Sequence, residues 1–330
     1  HDDDGRKWLV NMEWDYRRSG SAQFSGILLQ EYLPSEKRLV GPVRNIFRGS
    51  SIGMVEGPHL YKRELWYYVL AAEGGTEYAH AATVARSRSI DGPYEIHPFN
   101  PLVSSYGHPG IPLQKAGHAS WCDSPDGRSF LAFLCGRPLP GTRCCPLGRE
   151  TSIVEIEWRE GWPYVKHEDG QPYAEGVCRN YPADSFEAPA AAAAGAAGAA
   201  APSARPAPRG VEYRFDGPSI PIDFKSLRTE RDPDTYSLSA RPGWLRMRGG
   251  QSPLSCFGQS LLARRQTDFD FDARTRIDFG PTSFQQFAGL CWRYDEENQY
   301  LAAISRDEER GRVLFVINMI NHGFSRPLET

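Results

Sequence analysis

No stretch of this 330-residue chain approaches the roughly 20 consecutive apolar residues that a membrane-spanning helix needs. Charge of one sign is equally scarce. Thirty-eight Lys and Arg face 41 Asp and Glu, for a net charge of −3 and a pI near 6.3, and the signs are mixed rather than blocked. Neither a nucleic acid nor an anionic membrane finds a partner surface in that pattern. Cysteine is sparse and unpatterned: seven residues, at 122, 135, 144, 145, 178, 256 and 291, with no Cys-x-x-Cys or Cys/His spacing for zinc. Cys144 and Cys145 are adjacent, so a bridge between them would be strained. Free thiols in a reducing compartment are the expectation, which favours the cytoplasm. No secretory leader opens the sequence. Walker A, GxGxxG, GxSxG and HExxH motifs are absent, and eight scattered histidines specify no metal site.

What is present is turn-rich and aromatic. Glycine (32) and proline (26) punctuate the chain, and aromatics make up 12% of it, including 8 Trp and 15 Tyr. This favours an all-β protein whose aromatics serve mostly as strand and core residues, with sugar-face stacking as a second use. An Ala/Pro/Gly tract divides the sequence. Residues 188–201 are almost pure alanine broken by Pro189, Gly195 and Gly198, and Pro202, Pro206 and Pro208 follow. Those breakers predict a flexible or partly helical linker over 186–209, separating a domain at 1–185 from one at 210–330.

Before the linker a repeat is visible. GRKWLVNM (5–12), ELWYYVLAA (64–72) and GRSFLAFLCG (127–136) are apolar, aromatic-led runs whose lead residues are Trp8, Trp66 and Phe130. Each is followed by a hairpin-like stretch: FSGILLQEYL (24–33), HAATVARSRSIDGPYE (80–95) and TSIVEIEWREGWPYV (151–165). Units of several short strands at this period read as β-propeller blades, with a β-sandwich as the alternative. Glu56 lies ten residues before Trp66 and His118 twelve before Phe130, which predicts both near the innermost strand of a blade. The same phase before Trp8 falls at or upstream of position 1. After the linker, FDGPSIPIDFKSLRTE, WLRMRGG, SLLARRQTDFDFDARTRIDFGP, FQQFAGLCWRYDEENQYLAAISRD and GRVLFVINMI alternate apolar and polar residues, as half-buried strands of a sandwich do. GFSRPLET is expected to end the chain without a closing strand.

Three dense polar phrases sit in or beside turns: EGPHLYKR (56–63), KAGHAS (115–120) and CPLGRET (145–151). A carboxylate, an imidazole and a guanidinium next to strand ends describe the rim of a pocket. Glycine and proline beside Glu56 let backbone approach it closely and fix its turn. Read singly, Glu56 is a solvated turn residue, His118 a satisfied core histidine and Arg149 the surface partner of Glu150. Together with their flanks, including AEGGTEYAHAATVARSRSIDGPYE, the phrases resemble glycoside hydrolase family 43, in its β-xylosidase/α-L-arabinofuranosidase branch.

The resemblance implies a catalytic five-bladed β-propeller followed by a concanavalin A-like β-sandwich (jelly roll). It also implies an inverting hydrolase that removes xylose, or arabinose, from non-reducing ends of xylo-oligosaccharides or arabinofuranosides. Glu56 would be the general acid. His118, followed by Ala119 and Ser120 where the family usually has Gly-Asp, would bind sugar or an axial water, and Arg149 would reach the glycone hydroxyls. The general base and the pKa-tuning aspartate are expected upstream of residue 1. Propeller and sandwich would then both be partial, and secretion stays open. In HDDDG, Asp2, Asp3 and Asp4 read as an outward turn rather than as the base. Asp15 has at most a minor binding role. No organic cofactor is implied, although some family propellers carry an axial calcium. A homo-oligomer stays open, and a non-catalytic sugar-binding propeller or a protein-interaction propeller remain as competing functions.

Overall fold

A computed structural model describes residues 2–166, 210–321 and 323–329. The chain divides into two compact units, residues 1–195 and 196–330. The alanine-rich linker expected over 186–209 lies outside the described residues, and so does Cys178.

The first unit contains three antiparallel sheets. One holds β1 (Lys7–Trp14), β2 (Phe24–Leu33) and β3 (Arg38–Phe47), in that order. The second runs β4 (Glu56–Arg63), β5 (Trp66–Glu73), β6 (Ala81–Ser87) and β7 (Glu95–Ile96), with β8 (Val103–Ser104) also paired to β6. The third runs β9 (Gln114–Asp123), β10 (Ser129–Gly136), β11 (Glu150–Arg159) and β12 (Trp162–Val165). These are three blades of an incomplete five-bladed propeller. The aromatic-led repeats form β1, β5 and β10. In the second and third blades that strand is bordered by β4 or β9, whereas among the described residues β1 is an edge strand paired only with β2.

Apolar side chains on the facing sheets join the blades. Ile27, Leu29 and Phe47 of the first meet Val69, Ala71 and Ala85 of the second. Tyr68, Leu70 and Val84 of the second meet Trp121, Leu131, Phe133 and Val154 of the third. Much of the aromatic content is spent here: Trp121 stacks on Tyr61 (4.1 Å between ring centroids) and meets Tyr68 and Trp158 edge-on.

At the outer edge, Arg86 of β6 stitches the second blade to the third. Its guanidinium carbon lies 4.1 Å from the Trp66 ring centroid and 3.9 Å from that of Trp162. Arg86 Nη1 donates to the Glu160 carbonyl at 2.6 Å, and Nε donates to Glu95 at 2.6 Å. Two stacked faces and a planar donor fork are things a lysine cannot reproduce. Arg86→Ala is expected to lower unfolding stability by roughly 2 kcal/mol or more, with Arg86→Lys recovering only a minor part, read as urea midpoints.

Histidine 97, just beyond β7, is 3% exposed. The Phe99 amide donates to its Nδ1 at 3.0 Å, and its Nε2–H faces the Pro163 carbonyl at 3.0 Å, which fixes the neutral tautomer. Burial among Trp162, Tyr164 and Phe99 pulls its pKa down to about 4, outweighing the carbonyl at Pro163. The unfolded chain therefore takes up this proton first. Stability from a neutral His97 is complete above about pH 6.5 and is lost as pH falls toward 4, with an upper limit of about 3 kcal/mol. Melting temperatures across pH 4–7 should decline more steeply for the parent than for His97→Gln, which cannot titrate.

The second unit begins with two small ladders. β13 (Phe224–Ser226) pairs β16 (Leu262–Arg264), and β14 (Tyr236–Ser237) pairs β15 (Arg246–Met247). A four-stranded meander follows: β17 (Ala288–Arg293), β18 (Gln299–Asp307), β19 (Gly311–Ile320) and β20 (Gly323–Glu329). Leu301, Ala303, Val313, Phe315, Ile317 and Met319 alternate onto its buried face. This is part of a β-sandwich. Two expectations are corrected. GFSRPLET does supply a strand, β20, paired along β19 with a register shift between Val316 and Asn318. The alternating DFDFDARTRIDF run forms no strand among the described residues, because alternation provides a face but not a hydrogen-bonding neighbour.

Candidate active site

Two blades converge on the backbone beside Glu56. The carboxylate begins β4, half-buried, and the strand bulges immediately after it. Glu56 pairs with Ala72 and His59 with Leu70, so Gly57 and Pro58 together oppose Ala71 alone. Gly57 adopts φ +53°, in the left-handed region where a side chain costs strain. A Cβ at that position would stand 2.5 Å from His118 Nε2, so the imidazole rests directly on the Glu56–Gly57 backbone.

Histidine 118 gets there through a bulge of its own. Ala119 pairs with Phe133 and Gly117 with Leu134, leaving His118 as an unpaired extra residue with φ +46°. A second irregularity between Leu134 and Gly136 accommodates Lys115, with φ +57°. Bulges re-aim side chains that a regular strand would send elsewhere. The ring of His118 meets that of His80 edge to face, with centroids 6.5 Å apart. His80 is 2% exposed, packs over Gly117 and bonds through Nδ1 to the Lys115 carbonyl at 2.9 Å. A carbonyl there requires Nδ1 to carry the proton, which leaves Nε2 as an acceptor. That atom is buried without a hydrogen-bond partner.

Arginine 149 is exposed in the bend entering β11. Its neighbour Glu150 takes a bidentate fork from Arg137 at 2.7–3.1 Å. The loop before Arg149 is clipped down by Tyr78. Its ring lies 4.1 Å from the Arg143 guanidinium carbon, and its hydroxyl donates to the Arg143 carbonyl at 3.0 Å. Burial lowers the pKa of His80, and the nearby charges of His118 and Arg149 lower it further. His59 is lowered by burial and then by His118. His118 thus meets the Glu56–Gly57 backbone where two blades join, with the His80 ring against it and the charge of Arg149 felt at His80. His80 was not among the residues singled out in the sequence. Its one signal was a histidine directly ahead of an apolar strand in the TEYAHAAT run.

The acidic N-terminal turn is not wholly outward-facing. The Asp2 side chain is buried, accepting from Lys62 Nζ at 2.9 Å and from the Tyr67 hydroxyl at 3.0 Å, whereas Asp3 and Asp4 are exposed. Asp2 anchors the turn to the second blade. Asp15 is clasped by Arg17 and Arg18 and closes its own loop. Among the described residues, no group of three or more His, Cys, Asp or Glu is arranged to hold a metal ion.

Comparison with known proteins places this arrangement. Residues 1–163 match the pattern of "Glycosyl hydrolases family 43", and residues 212–330 match "Beta xylosidase C-terminal Concanavalin A-like domain". Xylosidase/arabinosidase 43B of Humicola insolens is 44% identical over 96% of this chain and 55% of its own length. The β-xylosidase of Bacillus subtilis is 40% identical over 99% of this chain and 59% of its own. The crystal structure of a xylan β-1,4-xylosidase from Bacillus halodurans superposes with a TM-score of 0.78 at 44% identity, covering 99% of this chain and 59% of that one. The chain thus spans little more than half the length of these relatives. With one unit matching the hydrolase domain and the other the sandwich that accompanies it, the chain belongs to glycoside hydrolase family 43.

Proposed function

We propose that this chain is part of an inverting exo-glycosidase that removes xylose, with arabinose as a second glycone, from the non-reducing end of xylo-oligosaccharides. The observation that carries this reading is the seating of His118 on the Glu56–Gly57 backbone, which joins an acid and a polar sugar ligand across two blades. Glu56 would protonate the departing glycosidic oxygen. His118 and Arg149 would hold the glycone, the guanidinium through paired bonds to neighbouring hydroxyls. Inversion also needs a second carboxylate, roughly 6.5–9.5 Å from the acid, to activate water. Asp2 and Asp15 are engaged elsewhere, so neither fills that role. In this reading the base, and a second aspartate that tunes the acid, come from outside these 330 residues. The domains would be a partial catalytic propeller at 1–185, a linker at 186–209 and a partial sandwich at 210–330.

The test uses the chain completed in frame with the portion of the Bacillus subtilis β-xylosidase that it does not span. Proton NMR of xylobiose hydrolysis should show α-xylose as the first product. β-Xylose first would overturn inversion. Saturable xylobiose binding without hydrolysis would favour a sugar-binding propeller, the second reading, which the engagement of Asp2 and Asp15 elsewhere keeps open.

A further inference from the structure

Glutamate 73, at the end of β5, is fully buried. Burial of a carboxylate is costly unless it is paired or fully hydrogen-bonded. Among the described residues no Lys or Arg bridges it. Four donors converge on its two oxygens instead. The Ser50 amide reaches both (2.9 and 3.1 Å), the Ser50 hydroxyl reaches Oε2 (2.8 Å), the Gly53 amide reaches Oε2 (3.1 Å) and the Thr83 hydroxyl reaches Oε1 (2.7 Å). Three of the four belong to the segment that leads into Glu56.

Within that segment the Ile52 amide donates to the Ser50 hydroxyl at 3.2 Å. Gly49, Gly53 and Met54 all have positive φ (85°, 80° and 56°), so it follows no repetitive path and forms no ladder. Its other anchors are external. Besides Glu73, the Gly74 amide donates to the Gly53 carbonyl at 2.9 Å, and Val55, 0% exposed, is locked into the core between the first two blades. The next residue is Glu56. Its backbone is fixed from the far side by Gly57 under His118, and from the near side by Glu73.

We propose that Glu73 is a positioning residue for Glu56: its carboxylate sets the path of residues 50–55 and thereby the aim of the acid. This rests on Glu56 being the acid of the proposed function. A misplacement of about 1 Å in a reacting group can cost on the order of 10²-fold in rate. In Glu73→Gln the amide nitrogen would face donors where an acceptor is needed, which loosens the segment while nearly preserving volume. Thr83→Val removes one donor from outside the segment and serves as the milder variant should Glu73→Gln fold poorly.

Two readouts decide the matter. Hydrogen exchange on the 330-residue chain should speed up for residues 50–56 in both variants, about tenfold or more in Glu73→Gln, with β9–β11 unchanged. In the completed protein, kcat should fall on the order of 10²-fold for alkyl xylosides, whose leaving group needs the proton, with KM nearly constant. The loss should be no more than about threefold for dinitrophenyl xylosides, which do not need it. Unchanged exchange over 50–56 overturns the proposal whatever the activity, and so does equal loss on both substrates. If the completed parent hydrolyses neither substrate, the glycosidase reading falls and exchange alone judges the anchor.

Discussion

Glu56→Ala in the completed protein is expected to slow hydrolysis of xylobiose and alkyl xylosides by roughly 10²–10⁴-fold, the range that general acid–base catalysis supplies. Dinitrophenyl xylosides should lose far less. The difference follows from what a carboxylic acid does at the leaving oxygen. An alkoxide cannot depart near neutral pH without a proton, whereas a dinitrophenolate can. Because Glu56 sits at a bulge beside a glycine with φ +53°, its removal opens space at a strand end rather than in the core, and folding should be preserved. The decisive measurement is kcat/KM for a series of leaving groups of graded pKa, for parent and variant. A steeper dependence in the variant marks the acid. Parallel lines displaced by a constant would make Glu56 a binding or structural group.

The 330-residue chain alone is expected to hydrolyse aryl β-xylosides at or near background. Water attack without a base forfeits on the order of 10²–10⁴-fold, and in the proposed reading sugar would be held by groups from two blades only. Joining the chain to the portion of the relative that it does not span should raise kcat/KM by at least that factor. Turnover by the chain alone at the completed protein's rate would mean that a base lies within these residues, and would overturn the assignment of Asp2 and Asp15 to structure.

Strand content was legible because blade cores demand it. Trp8, Trp66 and Phe130 each begin an apolar run that must be buried on at least one face, and no helix period competes. Glu56 and His118 were legible as candidates because each belongs to a dense polar phrase, EGPHLYKR or KAGHAS, that together with its flanks resembles family 43. What escaped was whatever depends on pairing between distant residues. The extra residue that turns His118 toward Gly57 exists only relative to Phe133 and Leu134 across the ladder. Glu73 looks like the polar end of a strand until Ser50 and Gly53 arrive from 20 or more positions upstream. Asp2 reads as an exposed turn residue until Lys62, 60 positions away, is placed against it. In the second unit, the phenylalanines and aspartates of DFDFDARTRIDF alternate as well as any strand in the molecule, yet β20 forms from a less regular phrase because it has β19 to pair with.

The two irregularities in β9 bear on how this site can vary. Ten residues, Gln114–Asp123, lie opposite eight, Ser129–Gly136, so the inner strand carries two residues that the ladder does not count. Side chains alternate with period two, so removing one of them would exchange the facing of everything on one side of the deletion and turn His118 or Lys115 off its present heading. The site is thus written partly in chain length. Along this strand a substitution alters one contact, whereas a single-residue deletion reassigns a face, and a deletion scan across 114–119 should be silent nowhere.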